Sequence, residues 1–372
     1  MKILYIFRSL AVWGGIERIL TDKMNYLSEQ DGVDVYLLTS DQGSHPITYH
    51  LSDRVHHEDL DVCFYQQYRF HGLRRLMVAW KMNRQYLHLL RERLQIIQPD
   101  LIVCTTADKI GTIAKVKGNI PLVVESHSIC SRTLNNGRNR LHRRLYRHHF
   151  LNSLSKAGCV VALTEGDAKE WRKYHHQVMV IPNFIHPHEE HISDCSAKKV
   201  IFVGRFDYQK RVQDAICIWK RVRERHSDWT LEVYGDGEMR QEVSSLASSV
   251  GGVTIHQPTS QIFQVYQECS FLISTSLFEP FGLVIPEAMS CGLPVVAFNC
   301  PYGPNDLIAD GEDGYLVDSG DFKSFTDKIC KLIENSELCK TMGQMAILSS
   351  QRYMHGQIMP LWKQLFSQLV QQ

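Results

Sequence analysis

Short apolar runs alternate with amphipathic segments from one end of the chain to the other, and this alternation restricts the fold more than any other feature. Runs such as Leu101-Ile102-Val103-Cys104 and Phe271-Leu272-Ile273-Ser274 are too short for buried helices and read as buried strands. Between the runs, apolar residues return at helical spacing, as at Ile16, Ile19, Leu20, Met24 and Leu27. Strands are expected at 2–7, 33–39, 100–104, 121–125, 159–163 and 178–181, while 41–72 reads as irregular. Helices are expected between them, among them a long one at 73–97 and a basic one at 137–155. A polar stretch from Pro182-Asn183-Phe184 to Ala197 then interrupts the pattern and is the best linker candidate. The alternation restarts with strands at 199–203, 230–234, 253–256, 271–274, 294–298 and 314–317. Strand–helix alternation means parallel sheets flanked by helices. An α/β chain of two doubly wound domains follows, with a cleft between them. The expected divisions are 1–183, 184–355, and an amphipathic C-terminal helix in 356–372.

Size and composition agree with that division. The 372 residues suffice for two domains, and 44% hydrophobic with 22% charged residues is ordinary for a globular soluble protein. No apolar run reaches the length of a membrane span, and the apolar core of Met1–Arg8 is too short for a signal peptide. The 11 Cys are scattered without a Cys-x-x-Cys pair, which suits a reducing cytoplasm and excludes a disulfide framework or a zinc site. Net charge is only +1, but residues 1–183 carry 25 Lys and Arg against 17 Asp and Glu, and residues 184–372 carry 16 against 23. The basic half suits an anionic membrane surface or nucleic acid. Nucleic acid is disfavoured because no recognised binding motif accompanies the charge. Basic stretches at 73–94 and 138–151, the second with an apolar stripe of Leu141, Leu145 and Tyr146, read equally as a membrane-facing surface or as solvated helix faces.

Residues 276–294 are the richest in chemistry. Glu279 and Glu287 have seven residues between them, Glu279 in the loop after a buried strand and Glu287 inside the following helix. The carboxyl ends of parallel strands are where α/β sheets bind ligands, and helix starts attract anions. Carboxylates there accept hydrogen bonds from hydroxyls, so the pattern suits a ligand with anionic and sugar parts; the plainer reading is two solvated glutamates. Gly204-Arg205 ends one strand, and Lys210-Arg211 opens the next helix, where cations are normally disfavoured, so something anionic is expected nearby. Arg205 and Lys210 could neutralise a diphosphate. Gly14-Gly15 lies between the first strand and first helix, either as an anion-approaching turn or as an ordinary one, and the full dinucleotide fingerprint is missing. His127 follows a strand and could meet a sugar hydroxyl or sit on a loop surface. Asp59-Leu60-Asp61 has the form of a metal-binding Asp-x-Asp but lacks further ligands, so no metal site is assigned.

The set of motifs resembles the retaining glycosyltransferases of family 4 (group 1), a GT-B fold of two Rossmann-like domains facing a deep cleft. The resemblance rests on Glu279-Pro-Phe-Gly-Leu-Val-Ile-Pro-Glu287 with Ala-Met-Ser-Cys-Gly-Leu-Pro after it, and on Gly14-Gly15-Ile-Glu-Arg, Pro182-Asn183, Gly204-Arg205 with Lys210, Tyr234-Gly-Asp-Gly-Glu and Asp310-Gly-Glu-Asp-Gly-Tyr-Leu-Val in this order. Two departures, His256-Gln-Pro and Asn299-Cys-Pro-Tyr-Gly-Pro-Asn-Asp306, look like a branch for bacterial surface polysaccharides.

The resemblance implies a metal-independent hexosyltransferase without a cofactor. Its substrate would be a UDP- or GDP-linked sugar, and its acceptor a glycan or lipid-linked oligosaccharide of O-antigen, capsule, exopolysaccharide or lipopolysaccharide. It implies that Glu287 binds the ribose, that Glu279 and the amides of Phe281, Gly282 and Leu283 bind the transferred sugar, and that Arg205 and Lys210 hold the diphosphate. Gly14 and Gly15 would close over the phosphates, and His127 would contact the sugar near the reacting carbon. A cytoplasmic protein touching the inner face of the membrane through its basic helices is expected. The alternatives are a nucleotide-sugar epimerase on the same fold and a non-catalytic nucleotide-sugar-binding subunit.

Overall fold

The computed structural model describes all residues except 106, 138, 187–189, 191 and 372. Part of the polar stretch read as a linker, and Arg138 of the basic segment, therefore lie outside the described residues. The chain forms two compact units, one of Met1–Ile181 with Met359–Gln372 and one of Pro182–Ile358.

The first unit is built on β1 (Lys2–Ile6), β2 (Asp34–Thr39), β3 (Val55–Asp59), β4 (Leu101–Cys104), β5 (Leu122–Glu125), β6 (Cys159–Ala162) and β7 (Val178–Val180). They form one sheet in the order β3-β2-β1-β4-β5-β6-β7, parallel at every pairing. Every residue of β4, β5 and β6 is buried, because helices cover both faces of the sheet. The helix Gly72–Ile97 packs only its second half on the core, through Tyr86, Leu90, Leu94 and Ile97. Residues 41–72, expected to be irregular, contain β3 and a 3-10 helix, Phe64–Arg69. β3 is an edge strand of sequence Val-His-His-Glu-Asp with only Val55 buried, so its polarity hides it from a search for apolar runs.

The second unit is built on β8 (Lys199–Val203), β9 (Thr230–Tyr234), β10 (Val253–His256), β11 (Phe271–Ser274), β12 (Val295–Asn299) and β13 (Gly314–Asp318). Their order is β10-β9-β8-β11-β12-β13, again parallel throughout. The order reverses between β8 and β11, which pair directly through Phe271 with Val200 and Leu272 with Ile201. Such a reversal sends the two following loops to opposite sides and opens a crevice at the carboxyl edge.

Two glycines fix the backbone around that edge. A Cβ on Gly235 would stand 1.9 Å from the carbonyl oxygen of Gly204, so only glycine lets the chain leaving β9 press against the chain leaving β8. A Cβ on Gly303 would stand 2.0 Å from the carbonyl oxygen of Phe281, so the segment after β12 braces the loop after β11 in the same way. The C-terminal helix, His355–Val370, starts in the second unit and continues into the first, where it buries Trp362, Leu365, Phe366 and Leu369.

Candidate active site

In the second unit the loops after β8 and β11 are joined by hydrogen bonds. Leu277 N donates to Gln209 O at 2.8 Å, Thr275 Oγ1 donates to Arg211 O at 2.9 Å, and Gln209 Nε2 donates to Phe278 O at 3.2 Å. Glu279 is pinned by its backbone, with its amide on Pro301 O at 2.8 Å and its carbonyl accepting from Tyr302 N and Gly303 N, each at 2.9 Å. The Lys210 ammonium donates to Glu279 Oε1, and Ser276 Oγ donates to the same oxygen at 2.7 Å. Both charged side chains are largely out of water. Among the described residues, Glu279 Oε2 takes no hydrogen bond, which leaves an oriented acceptor at the carboxyl edge. Removing one partner from a buried pair of this kind costs roughly 3–5 kcal/mol, because the other charge is left uncompensated.

Beside the pair, the chain runs through Phe281, Gly282 and Leu283 into the helix Val284–Ser290. Gly282 has φ of +91°, a left-handed conformation that favours glycine. Among the described residues the amides of Phe281, Gly282 and Leu283 donate to no group of the chain. Phe281 is buried, edge-on against Tyr353 at 5.5 Å between ring centres. Glu287 is buried in the first turn of the helix. Sequence reading placed Glu279, Lys210, Phe281, Gly282, Leu283 and Glu287 in one site, and all lie on the loops and helix leaving β8 and β11.

Arg205 differs from Lys210. Its side chain is 69% exposed, paired with Asp207 at 2.9 Å and with Gln209 at 3.2 Å, and so is loosely held. The cations at the start of the helix Val212–Arg223 find their anions inside the chain. Lys210 has Glu279, and Arg211 makes a two-pronged contact with Asp214 at 2.9 and 3.1 Å.

The remaining candidates lie in the first unit. Gly14 precedes the helix Gly15–Ser28 in an extended conformation, and a Cβ there would meet only the end of the Glu17 side chain, not backbone. Beside it Val12 and Trp13 are exposed. His127 follows β5 with its side chain buried, and its Nε2 is 3.2 Å from Glu125 Oε1. That same oxygen accepts from the ammonium of Lys23, which is fully buried on the helix Gly15–Ser28. Burial alone would raise the Glu125 carboxyl, but Lys23 and His127 outweigh it and bring it down to about 2. Burial lowers the Lys23 ammonium, while Glu125 pulls in the opposite direction.

Lys23 and Glu125 escaped the sequence reading. Two signals mark them: a lysine on the apolar stripe of a helix, between Leu20 and Met24, and a lone carboxylate ending an otherwise apolar strand. Asp59, by contrast, is used by the fold. It accepts from Thr39 Oγ1 at 2.8 Å and Gly43 N at 2.9 Å, and among the described residues no cluster of three potential metal ligands occurs.

Comparison with solved structures identifies the class. The chain superposes on Anabaena HepE, crystallised in complex with UDP and glucose, with a TM-score of 0.77 at 21% identity, over 99% of each chain. It superposes on sucrose-phosphate synthase from Thermosynechococcus elongatus with a TM-score of 0.81 at 18% identity, over 99% of this chain and 98% of the other. Two Rossmann-like units with these neighbours define a GT-B fold.

The family follows from the sequence matches. Residues 13–189 match the model for glycosyltransferase family 4, and residues 187–348 match that for glycosyl transferases group 1. The chain belongs to the group 1 glycosyltransferases, glycosyltransferase family 4. An uncharacterized glycosyltransferase of Haemophilus influenzae is 26% identical over 97% of this chain and 99% of its own length. The amylovoran biosynthesis glycosyltransferase AmsD of Erwinia amylovora is 31% identical over 51% of this chain, and the match spans 56% of that relative. The epimerase alternative finds no support among these matches and is set aside.

The buried carboxylate of the first unit sets an acid limit on stability. Glu125 falls from the ordinary 4.5 to about 2 in the folded state, so ionisation favours folding. Its contribution is complete above about pH 4.5 and is lost as the pH falls through about 2. Urea midpoints measured across that window should fall with acid in the wild type, and the Glu125→Gln variant should lack this component while being less stable at neutral pH. Identical acid slopes in the two proteins would contradict the assignment.

Proposed function

We propose that this chain is a retaining hexosyltransferase. It moves a hexose or N-acetylhexosamine from a UDP- or GDP-linked sugar to a glycan or lipid-linked oligosaccharide in surface polysaccharide synthesis. The observation that carries the reading is the oriented Lys210–Glu279 pair beside three unused amides at the reversal of the second sheet. Carboxylates accept from sugar hydroxyls, free amides donate to them, and cations suit a diphosphate. The relatives add support: HepE was crystallised with UDP and glucose, and AmsD is named for amylovoran biosynthesis.

In this reading Glu287 holds the ribose hydroxyls of the donor. Glu279 Oε2 and the amides of Phe281, Gly282 and Leu283 hold the transferred sugar. Lys210 and the loosely held Arg205 take the diphosphate, and Gly14-Gly15 contacts it through backbone. As the bond from the sugar to the diphosphate breaks, negative charge grows on the leaving group and positive charge on the sugar carbon. Lys210, already held in place, and Arg205 stabilise the first without a metal ion. His127 meets the sugar near the reacting carbon.

Purified protein incubated with a panel of UDP- and GDP-sugars and glycan acceptors should form a glycoside with the anomeric configuration of the donor, read by proton couplings. Turnover should survive excess EDTA. Lys210→Ala and Glu279→Ala should each lower kcat by roughly 10²- to 10³-fold, the cost of removing one such stabilising group. Full activity in both variants would sink the residue roles. An inverted product would sink retention.

The reading includes an acceptor presented at an anionic membrane. The start of the helix Gly72–Ile97 exposes Leu73, Leu76, Met77 and Trp80, and the helix Arg140–Leu154 exposes Leu141 and Leu145. Arg74, Arg75, Lys81 and Arg84 lie among the first group, and Arg140, Arg143 and Arg144 among the second. A groove of about 360 Å³ is lined by Trp80, Arg84, Lys115, Tyr146 and His149 among others. Its mix of rings and cations suits a phosphate-bearing lipid head. Among the described residues no helix is long and apolar enough to cross a membrane. Apolar side chains ringed by cations bind at an anionic interface. The protein should sediment with phosphatidylglycerol vesicles, less so as salt rises, and a Leu76→Ser/Trp80→Ser variant should bind weakly. Equal binding to neutral phosphatidylcholine vesicles, or none to either, would contradict this.

A further inference from the structure

The first unit buries a charged constellation that touches the proposed donor chemistry only through His127. Glu125 and His127 are two residues apart on an extended chain, so their side chains fall on the same face. Lys23 reaches Glu125 Oε1 from the helix Gly15–Ser28, and its ammonium lies 3.8 Å from the centre of the Trp362 ring on the C-terminal helix. Tyr5 approaches the ammonium from β1, with its ring centre 5.7 Å away.

This constellation is poorly suited to stability alone. Glu125 Oε2 and Tyr5 Oη are buried without hydrogen-bond partners. The 3.2 Å contact from His127 Nε2 to Glu125 Oε1 is close enough for an ion pair but is not aligned as a hydrogen bond. Apolar side chains of similar size would fill the same space at less cost. Buried polar groups left unpaired ask for another role, and hydrogen bonds around reacting groups often align only when substrate is present.

We infer that Lys23 and Glu125 are positioning residues for His127, with Trp362 closing the constellation from water; the inference rests on His127 contacting the transferred sugar. An ionised carboxylate is acceptor only and attracts an N–H dipole at 3.2 Å even before the two align, so the imidazole nitrogen beside it carries the hydrogen. Glu125 thereby fixes one tautomer of His127, with hydrogen on Nε2 and the lone pair on Nδ1. A bare buried carboxylate is costly to keep ionised. Lys23 cancels its charge while leaving it an acceptor. The ring face of Trp362 attracts the ammonium and excludes competing water.

The direct test is the histidine tautomer. In protein labelled with ¹⁵N-histidine, a long-range proton–nitrogen correlation reports which ring nitrogen carries hydrogen, and the spectrum of His127→Gln identifies the resonance. The wild type should show hydrogen on Nε2. The double variant Lys23→Met/Glu125→Leu, which removes both charges together and so leaves neither uncompensated, should show mixed tautomers. Its kcat should fall roughly 100-fold, the usual effect of a misplaced reacting group, with the donor KM within threefold. Hydrogen on Nδ1 in the wild type overturns the inference, and so does a folded double variant with wild-type kcat. Full activity in His127→Gln would instead remove His127 from the site. The tautomer measurement on wild-type protein stands even if the double variant fails to fold.

Discussion

An ammonium and a carboxylate held largely out of water at the reversal of a parallel sheet organise the second unit. Lys210 and Glu279 come from loops 69 residues apart in sequence, and their meeting requires β8 and β11 to be neighbours. Desolvating two charges is expensive, and the attraction between them repays it only when geometry and further hydrogen bonds are good. Here Ser276 supplies the extra bond, Gly303 lets the braced loop come close, and Gly235 lets the chain leaving β9 come close. The result is a carboxylate whose second oxygen is fixed in direction before any ligand arrives. Preorganisation of that kind is what a transferase needs, because groups aimed in advance cost nothing to reorganise during reaction.

The first unit repeats the device with a different outcome. Lys23 and Glu125 also meet at the carboxyl edge of a parallel sheet, but deeper, and they act on a histidine rather than offering an oxygen. In both units the lysine comes from the segment after the first strand of the sheet, and the glutamate lies at or beyond the end of a later strand. A doubly wound sheet brings such positions together without demanding that they be close in sequence.

Much of this was legible in the residues because parallel strands covered on both faces are apolar at consecutive positions. Leu-Ile-Val-Cys at β4 and Phe-Leu-Ile-Ser at β11 cannot be mistaken for exposed loops. β3 was not legible, since an edge strand alternates polar residues and Val-His-His-Glu-Asp resembles a loop. The helices Cys130–Leu134 and Gly303–Leu307 are too short to show a period. In the site, Glu279 and Glu287 stood out by their spacing. Lys23 and Glu125 did not, because a buried lysine is visible only once the helix face it occupies is known. Arg211 was set among cations awaiting an anion, whereas Asp214, three residues on, is its partner. Local ion pairs within a helix turn satisfy a cation without any ligand.

The central claim is that the donor is held by the loops leaving β8 and β11. Amide hydrogen exchange, followed peptide by peptide with and without saturating nucleotide-sugar, tests it most directly, because amides that gain hydrogen bonds to a ligand exchange more slowly. The account predicts that protection in the second unit is concentrated in residues 204–211 and 276–287. Turnover of the same donor with no protection in either segment would contradict it.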